Sequence, residues 1–372
     1  AWATLSERLE DWLQNPAPDT TDVARYAENR LPVTLHVTHS WGGGVAQWVS
    51  TFIESDDENV HLQLRSEGPQ TGHGCGQRFA LYQSNRLDTP VARWWLQPPI
   101  RSTTGENTAY REILAEILQR HGVGRIIVSS LVGHSLDALN TGLPTIQVLH
   151  DFYPAWPLLG INPEPFLRKN QPVDLDAALE KHDLLPALSD LDAAGWKTLS
   201  RAWRKTVATQ GVRLAAPSRS VISLIKRIDP GWGSQAVEVI PHGLPELPGA
   251  EAIVPRPRAD GRLRLLIPGR IHDGKGRQLL LEALPDLTRY AQVYLVGADK
   301  YGEAFFGQAG VDVILQFDRS ELRALLAQIG PHVAGLFSVV PVTFINTLSE
   351  MRQLGIPVIG TRVGSLVERR VD

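Results

Sequence analysis

The sequence has little cysteine, little methionine, no long apolar run and no excess of positive charge, and each shortage excludes a class of protein. Its single cysteine, Cys75, excludes an intramolecular disulfide and any metal site built from several cysteines, which fits a reducing compartment. No apolar run approaches the roughly twenty residues that a membrane-spanning helix needs. A net charge of -3 argues against a general nucleic-acid-binding surface. We therefore expect a cytoplasmic globular protein with no nucleic-acid partner.

The two ends of the chain favour a piece of a longer protein. The only methionine is Met351, and residues 1–10 fit an amphipathic helix with a Ser–Glu cap rather than a signal peptide. The last residues come directly after a strand, a loop and the start of a helix at 358–368. We expect an N-terminal helical extension at 1–30 and, as partners, other domains of a longer parent chain.

The length of 372 residues predicts two domains of α/β class, since one ordinary core does not extend over so long a chain. Apolar β-type runs alternate with helical patterns, which is typical of doubly wound parallel sheets covered by helices. The runs are 33–37, 60–64, 125–129, 145–149, 212–216, 263–267, 293–296, 313–316, 333–337 and 357–360. Four prolines and two glycines between 244 and 261 fit neither periodicity and predict a linker at 245–261. The predicted domains are then 31–244 and 262–372.

The segment 267–276 carries the strongest chemical signal, because it follows an apolar strand, opens a helix and holds two cations. Its glycines, its backbone N–H groups and the helix N-terminus suit a diphosphate, and Arg270 and Lys275 would neutralise it. The pattern indicates a nucleotide or a nucleotide-activated substrate. An ordinary basic turn between a strand and a helix is the alternative.

Other candidate residues follow predicted strands. Gly42, Gly43 and Gly44 allow close backbone approach before a helix, although such turns also serve packing. His150 ends the fourth predicted strand, where it would touch substrate or bond within its own loop. His134 follows the preceding predicted strand and is a weaker candidate for the same role. Glu350 lies within a helix whose N-terminus would face a ligand, from where its carboxylate could accept from ribose hydroxyls, although helix glutamates are often only solvated.

Taken together, these segments resemble the retaining GT-B glycosyltransferases of family 4, called "group 1". The resemblance rests on the order and spacing of several motifs across nearly the whole chain. They are Gly42–Gly44, 150–154, Pro217-Ser218, 241–243, Gly269-Arg270 with Lys275-Gly276, and 347–350 before 355–358. The resemblance implies two Rossmann-like domains facing across a cleft, the second lacking its last helices here.

The resemblance also assigns roles to residues. It implies that Arg270 and Lys275 bind and stabilise the leaving diphosphate and that Glu350 holds the ribose. His150 would contact the transferred sugar, with Asp151 and His134 as acceptor-side candidates. The remaining donor-side positions, which would lie beside the base, the sugar or the phosphates, are Gly43, Gly44, Gly269, Gln316, Phe317, Phe344, Asn346, Thr347 and Leu348.

The implied reaction uses a nucleotide-sugar donor as co-substrate and needs no cofactor and no metal. Two D-x-D sequences, at 174–176 and 190–192, imitate a metal motif but lie in a polar helical stretch and are interpreted as solvated faces. The implied acceptor is a saccharide or a lipid-linked glycan, and a lipid-linked one would also bring the protein to a membrane surface.

One position departs from the family pattern. The first acid of the family's E-x7-E motif falls at Val342. The resemblance implies that this change alters the choice of sugar, slows turnover or abolishes catalysis. The alternatives are therefore a catalytically degenerate module that binds glycan or nucleotide, and a sugar-nucleotide epimerase of the same architecture.

Overall fold

The computed structural model describes residues 31–70, 75–233, 235–244, 247 and 251–369, so the predicted extension at 1–30 lies outside it. The chain divides into two compact units. Unit 1 comprises Ala1–Leu159, Asp174–Ala216 and Ile228–Glu238, and unit 2 comprises Gly160–Val173, Pro217–Arg227 and Val239–Asp372. The simpler division at residues 245–261 stays a prediction.

Unit 1 is built on an eight-stranded sheet with the order β4-β3-β2-β1-β5-β6-β7-β8. The strands are β1 Val33–His39, β2 Val60–Glu67, β3 Arg78–Gln83, β4 Ala92–Trp95, β5 Val123–Val128, β6 Thr145–Val148, β7 Arg213–Ala216 and β8 Val237–Val239. Strands β2, β1, β5, β6 and β7 are parallel neighbours, while β3 and β4 add an antiparallel meander. The α-helices are α1 Gly43–Glu54, α2 Thr108–His121, α3 Leu175–Leu179 and α4 Ala193–Thr209.

The core of unit 1 forms because its central strands are buried on both faces, with Thr34, His36 and Thr38 on the second face of β1. In β1, Leu35 and Val37 are fully buried, and in β5 Ile126 and Val128 are fully buried too. Strands of this kind need helices on both sides of the sheet. Helix α2 begins with an Asn107 side chain that accepts from the Tyr110 N–H, and it ends at a left-handed glycine, so both helix ends are satisfied locally.

Unit 2 contains a five-stranded sheet in which every pair is parallel, with the order β11-β10-β9-β12-β13. The strands are β9 Leu263–Pro268, β10 Ala291–Val296, β11 Val311–Ile314, β12 Val333–Leu336 and β13 Val358–Gly360. The α-helices are α5 Arg219–Ile228, α6 Arg277–Tyr290, α7 Leu322–Ile329, α8 Asn346–Gln353 and α9 Ser365–Glu368.

Both faces of the unit 2 sheet are covered. Leu266 of β9 joins one buried cluster with Leu326 and Met351, while its neighbour Leu265 joins another with Leu280 and Val293. Alternate residues of a strand point to opposite faces, so the two clusters lie on the two sides of the sheet. This arrangement confirms the predicted doubly wound parallel sheet.

All ten predicted strands are present, and three further strands, β3, β4 and β8, were not predicted. Within the described residues, no helix combines the length and the apolar character needed to traverse a bilayer.

Candidate functional site

The candidate site of unit 2 lies where the winding of its sheet reverses. From β9 the chain proceeds through β10 and β11 to one edge, and β12 then lies on the other side of β9. The loops that follow β9 and β12 are therefore neighbours, and the Val339 N–H donates to the Gly274 carbonyl at 3.1 Å. Open parallel sheets bind their ligands at this kind of switch point.

Gly276 fits this loop because no other residue would. Its φ is +87°, and a Cβ added to it would lie 2.1 Å from the Phe337 carbonyl oxygen. The close approach fixes the residue just before α6 against the end of β12. Its neighbour Lys275 is held at the switch point by the same contact.

Lys275 is a half-buried ammonium to which the described residues offer no ion-pair partner. Burial lowers its pKa to about 8, and no acidic group offsets that effect. Among the described residues, no carboxylate forms an ion pair with Lys275 and no acceptor hydrogen-bonds its side chain. Helix α6 begins two residues later without a side-chain cap. A desolvated cation beside an uncapped helix N-terminus favours an anionic ligand.

Arg270 lies in the same loop but is differently placed. Its side chain is 63% exposed, and its Nε is 3.4 Å from Asp299 Oδ2. The pKa of His272 is lowered first by burial and then by the charge of Lys275, while Asp273 opposes the shift and Arg270 and Arg277 add smaller effects. Arg270 is therefore available at the rim, whereas Lys275 lies deeper.

The N-terminus of α8 lies beside this loop. A Cβ placed on Gly269 would be 3.8 Å from Thr347 Oγ1. Helix α8 begins at Asn346 with no side-chain cap, and both Asn346 and Thr347 are half-buried. Leu348 is fully buried, and its N–H donates to the Ile345 carbonyl. The structure thus brings Gly269, Asn346 and Thr347 together and places the Leu348 side chain in the core.

Phe344 is held on two sides by residues of unit 2. Its ring lies 4.9 Å from the His242 ring, and the Arg369 guanidinium carbon lies 4.2 Å from its centroid. Arg369 Nη1 also donates to the Ile345 carbonyl at 2.8 Å. Burial, followed by the charge of Arg369, lowers the pKa of His242 to about 4. Sequence reasoning missed Arg369, because nothing in the motif pattern links the end of the described chain to this loop.

Phe317, predicted to border the base, lies near the end of β10. A Cβ on Gly297 would be 2.8 Å from Phe317 Cε1 and 3.8 Å from Gly269 Cα, so three loops of the sheet edge meet here. Gln316 is exposed next to it.

Glu350 is buried and forms an ion pair with Arg319. Arg319 follows β11 and was not predicted, since an arginine in a polar turn carries no signal of its own. The acid expected to hold a ribose is therefore already charge-paired in the free protein. A ligand hydroxyl would share this carboxylate with the guanidinium.

Val342, the position of the missing acid, belongs to an apolar cluster. Its half-buried side chain packs against the cluster of Leu336, Ile345, Leu348 and Leu366. Its carbonyl accepts from the Ser365 N–H at 2.9 Å. Val342 therefore contributes to local packing.

In unit 1, Gly43 and Gly44 are exposed at the start of α1, which has no side-chain cap. A Cβ on either residue would have no neighbour within 4 Å, which leaves room for close approach of a ligand. The φ of Gly43 is +71°, whereas Gly44 has no such requirement. This loop has the open N–H groups that an anion needs.

His150 and Asp151 follow β6. The His150 ring packs edge-on against Trp48 of α1, with centroids 5.0 Å apart. Asp151 accepts from the Tyr153 N–H at 2.9 Å, and burial raises the pKa of its carboxyl group to about 6. A carboxyl group with that pKa can exchange a proton near neutrality.

His134 does not have the surroundings of a substrate-contacting residue. It is 0% exposed, its Nδ1 lies 2.8 Å from the Tyr110 hydroxyl, and its Nε2 donates to the Thr38 carbonyl at 2.7 Å. Burial lowers its pKa to about 4. These contacts do not support its assignment to the acceptor side and indicate that it ties β1 to α2.

The two D-x-D sequences serve local structure. Asp174 and Asp192 accept from backbone N–H groups at the starts of α3 and α4, and Asp176 pairs with Lys197. Across the ranges that the structure describes, no group of three or more His, Cys, Asp or Glu residues could hold a metal ion.

Comparison with known proteins gives the fold. No family model and no curated protein matches the chain. Among solved structures, Anabaena HepE (Alr3699) in complex with UDP and glucose is similar at a TM-score of 0.53 and 14% identity, over 92% of this chain and 83% of that one. The catalytic domain of Arabidopsis thaliana starch synthase IV, bound to ADP and acarbose, has a TM-score of 0.52 at 10% identity, over 92% and 85%. The chain therefore has the GT-B fold, with two Rossmann-like domains.

Proposed function

We propose that this protein is a glycosyltransferase that moves a sugar from a nucleotide-sugar donor to a saccharide or a lipid-linked glycan. The observation that carries the proposal is Lys275, a desolvated ammonium with no countercharge in the described residues, at the switch point of a parallel sheet. A diphosphate supplies the missing negative charge. Anabaena HepE, which shares the fold, has been crystallised with UDP-glucose, and this supports a donor of the same class here.

In the proposed complex, the diphosphate lies against Lys275 and the uncapped N-termini of α6 and α8. Arg270 reaches it from the rim, and Glu350 holds the ribose beside Arg319. Phe317 borders the base. His150, Gly43 and Gly44 of unit 1 contact the sugar and the phosphates.

The proposed reaction retains the anomeric configuration. The bond between the anomeric carbon and the diphosphate oxygen breaks, and the nucleoside diphosphate leaves with the electron pair. The acceptor hydroxyl attacks from the same face and gives its proton to that oxygen. Lys275 and Arg270 stabilise the departing charge, and such preorganised electrostatic stabilisation usually contributes more to catalysis than any other effect. We propose that no metal and no resident cofactor is required, because these cations replace a divalent ion.

The proposal is tested by turnover of nucleotide sugars with saccharide acceptors in the presence of a chelator, with the anomer of the product read by NMR. We expect a retained anomer, activity that survives chelation, and activity lost in Lys275→Ala but kept in Lys205→Ala, a lysine exposed on α4. An inverted product, or near-normal turnover in Lys275→Ala, would overturn the assignment.

Val342 supports a second candidate, a module that binds donor without turnover. Its side chain packs in an apolar cluster, so Val342→Glu should cost about 1–3 kcal/mol of unfolding free energy by burying a carboxylate there. Denaturant unfolding of Val342→Glu and Val342→Thr, alongside their turnover, separates the two candidates. Donor binding without turnover in the wild type, with turnover appearing in Val342→Glu, would favour the binding module.

A further inference from the structure

The meander of unit 1 places three arginines on one face of the sheet. Arg65 of β2 pairs directly with Ala80 of β3, and Ala80 pairs directly with Arg93 of β4. Arg78 lies two residues before Ala80 and pairs with Trp95. Directly paired residues, and residues two apart, share a face, so all these side chains lie on one side.

The opposite face of the meander is closed by α2. Leu64, Phe79 and Leu81 are at most 1% exposed, and the Trp94 indole N–H donates to Glu116 of α2 at 3.1 Å. The arginines therefore do not point into the interior that α2 covers.

The side chains of these arginines carry unsatisfied hydrogen-bond donors. Each is half-buried, and no ion pair to any of the three exists within the described residues. The Nε of each, like the indole N–H of Trp95, is buried without a hydrogen-bond partner. Four donors thus lack acceptors on one face. Such donors cost free energy unless a ligand or water satisfies them.

One described acid, Glu67, shares the face, and a tyrosine of the same face engages its carboxylate. Glu67 pairs with Arg78 in the register, but its carboxylate accepts from the Tyr82 hydroxyl. The Arg65 guanidinium carbon lies 5.8 Å from the centroid of the Tyr82 ring. Because Ala80 lies between Arg65 and Arg93 in the register, two strand spacings of about 4.8 Å separate these two arginines across its short side chain.

The face is continuous with the glycine loop that precedes α1. Thr38 of β1 pairs with Arg65, and the chain then runs through His39 to Trp41, whose indole N–H donates to the Gly68 carbonyl at 3.0 Å. Arg65 lies close enough to His39 to lower its pKa, after the larger effect of burial. The arginines therefore lie beside the loop through which unit 1 meets substrate in the proposed function.

We infer that Arg65, Arg78 and Arg93 bind a phosphate or diphosphate group of the acceptor. The inference rests on the proposed function and adds the substrate class: an acceptor that carries its own phosphate. Guanidinium groups donate pairs of parallel hydrogen bonds to phosphate oxygens, which satisfies the Nε donors as a surface lysine would not. Two sources supply this chemistry, a lipid diphosphate carrier and a soluble phosphorylated sugar.

The test is calorimetry on the full chain in a Lys275→Ala background, which removes the proposed donor contact. Inorganic diphosphate is titrated into Arg65→Gln, Arg78→Gln, Arg93→Gln and the triple variant, with Arg120→Gln on the exposed surface of α2 as the matched control. We expect saturable binding that weakens about tenfold or more per arginine, since a lost charged hydrogen bond costs about 1.5–3 kcal/mol. Arg93→Lys keeps the positive charge but cannot donate a pair of parallel hydrogen bonds. Its affinity for diphosphate should therefore lie between those of wild type and Arg93→Gln.

Farnesyl diphosphate in detergent micelles, with farnesol as the neutral probe, distinguishes the sources. Binding of farnesyl diphosphate that is at least about tenfold tighter than that of inorganic diphosphate indicates a lipid-linked acceptor. Equal binding of the two indicates a soluble phosphorylated one. Either result supports the inference, provided that it depends on the arginines.

Absence of diphosphate binding in the Lys275→Ala background, or binding that the folded triple variant retains, would overturn the inference. Thermal unfolding of each variant shows whether a loss of diphosphate binding is caused by misfolding. If the triple variant misfolds, binding by the single variants tests the inference. A failure here is distinct from failure of the proposed function, because nucleotide-sugar binding in the arginine variants with Lys275 intact tests the donor site without these arginines.

Discussion

At the scale of single residues, Lys275 links stability to function. The ordinary pKa of a lysine is near 10.4, and burial lowers that of Lys275 to about 8. A lowered lysine pKa means that the folded state disfavours the charged form. The resulting cost to stability is fully present below pH 8 and is lost as pH rises from 8 towards the unfolded value. The proposed donor binding would account for a residue that the fold alone does not favour.

We predict that Lys275→Met raises the melting temperature of the ligand-free protein at pH 7 while abolishing stabilisation by nucleotide diphosphates. The gain should shrink as pH rises above 8, because wild-type Lys275 then becomes neutral. Thermal unfolding between pH 6.5 and 10, with and without nucleotide, measures both effects, and Lys205→Met on the exposed surface of α4 is the control. A less stable Lys275→Met that still responds to nucleotide would show that Lys275 has another partner.

Chain geometry decides which residues a sequence can predict to lie near one another. Lys275, Gly269 and Thr347 could be predicted because the carboxyl ends of adjacent parallel strands must meet at one edge. Arg319 and Arg369 could not, since each acts through a contact with a distant residue, Glu350 or Phe344. His134 matched the pattern of a strand-end histidine, but long-range bonds to Tyr110 and Thr38 occupy both ring nitrogens.

At the scale of elements, the loop between β9 and α6 depends on its contact with the end of β12. Gly276 has a φ of +87°, and a Cβ added there would lie only 2.1 Å from the Phe337 carbonyl oxygen. Gly307 has a similar φ of +74°, but a Cβ there would have no neighbour within 4 Å. Substitutions at Gly276 and Gly307 therefore distinguish the cost of backbone strain from the cost of a direct steric clash.

We predict that Gly307→Ala costs about 1–3 kcal/mol of unfolding free energy, the cost of a left-handed residue with a side chain. Gly276→Ala should cost clearly more, and it should also weaken nucleotide binding because the loop must withdraw from β12. Denaturant unfolding and calorimetry of both variants measure this difference. Equal losses of stability, with nucleotide affinity unchanged in Gly276→Ala, would separate the loop from the site.

The strands illustrate which elements a sequence reveals. The central parallel strands, such as β5 and β9, bury side chains on both faces and contain apolar runs that could be predicted. Strands β3 and β4 place arginines on one face and Phe79 and Trp94 on the other, because one face carries charge and the other packs on α2. Strand β8 has only three residues and no buried position, so its local pattern carries no signal.

At the scale of the whole molecule, unit 2 is assembled from three separate stretches of chain. The Ser218 hydroxyl donates to the Thr343 carbonyl at 2.9 Å, and the Glu368 carboxylate accepts from the Arg219 and Ser220 N–H groups at the start of α5. These contacts belong to the loops that surround Phe344 and α8. Proline content could not predict that unit 2 is assembled from three stretches of chain, because prolines indicate linkers and carry no information about contacts between distant segments.

We predict that a fragment of residues 239–372 fails to fold as a cooperative unit, because 160–173 and 217–227 supply contacts that the fragment lacks. Near-UV circular dichroism and urea unfolding of the fragment, compared with the full chain, measure cooperativity. Addition of a peptide of residues 217–227 should restore part of it. A sharp unfolding transition for the fragment alone would show that α5 and its contacts are dispensable.

The central claim is that unit 2 binds a nucleotide sugar through Lys275, and calorimetry tests it most directly. The full chain and Lys275→Ala are titrated with UDP-, GDP-, ADP- and dTDP-sugars. We expect saturable binding selective for one base, weakened in the variant about 30-fold to several thousand-fold, the range that follows from losing about 2–5 kcal/mol at a buried charge pair. Equal affinity in wild type and Lys275→Ala, or no binding of any nucleotide sugar by the folded wild type, would contradict the account.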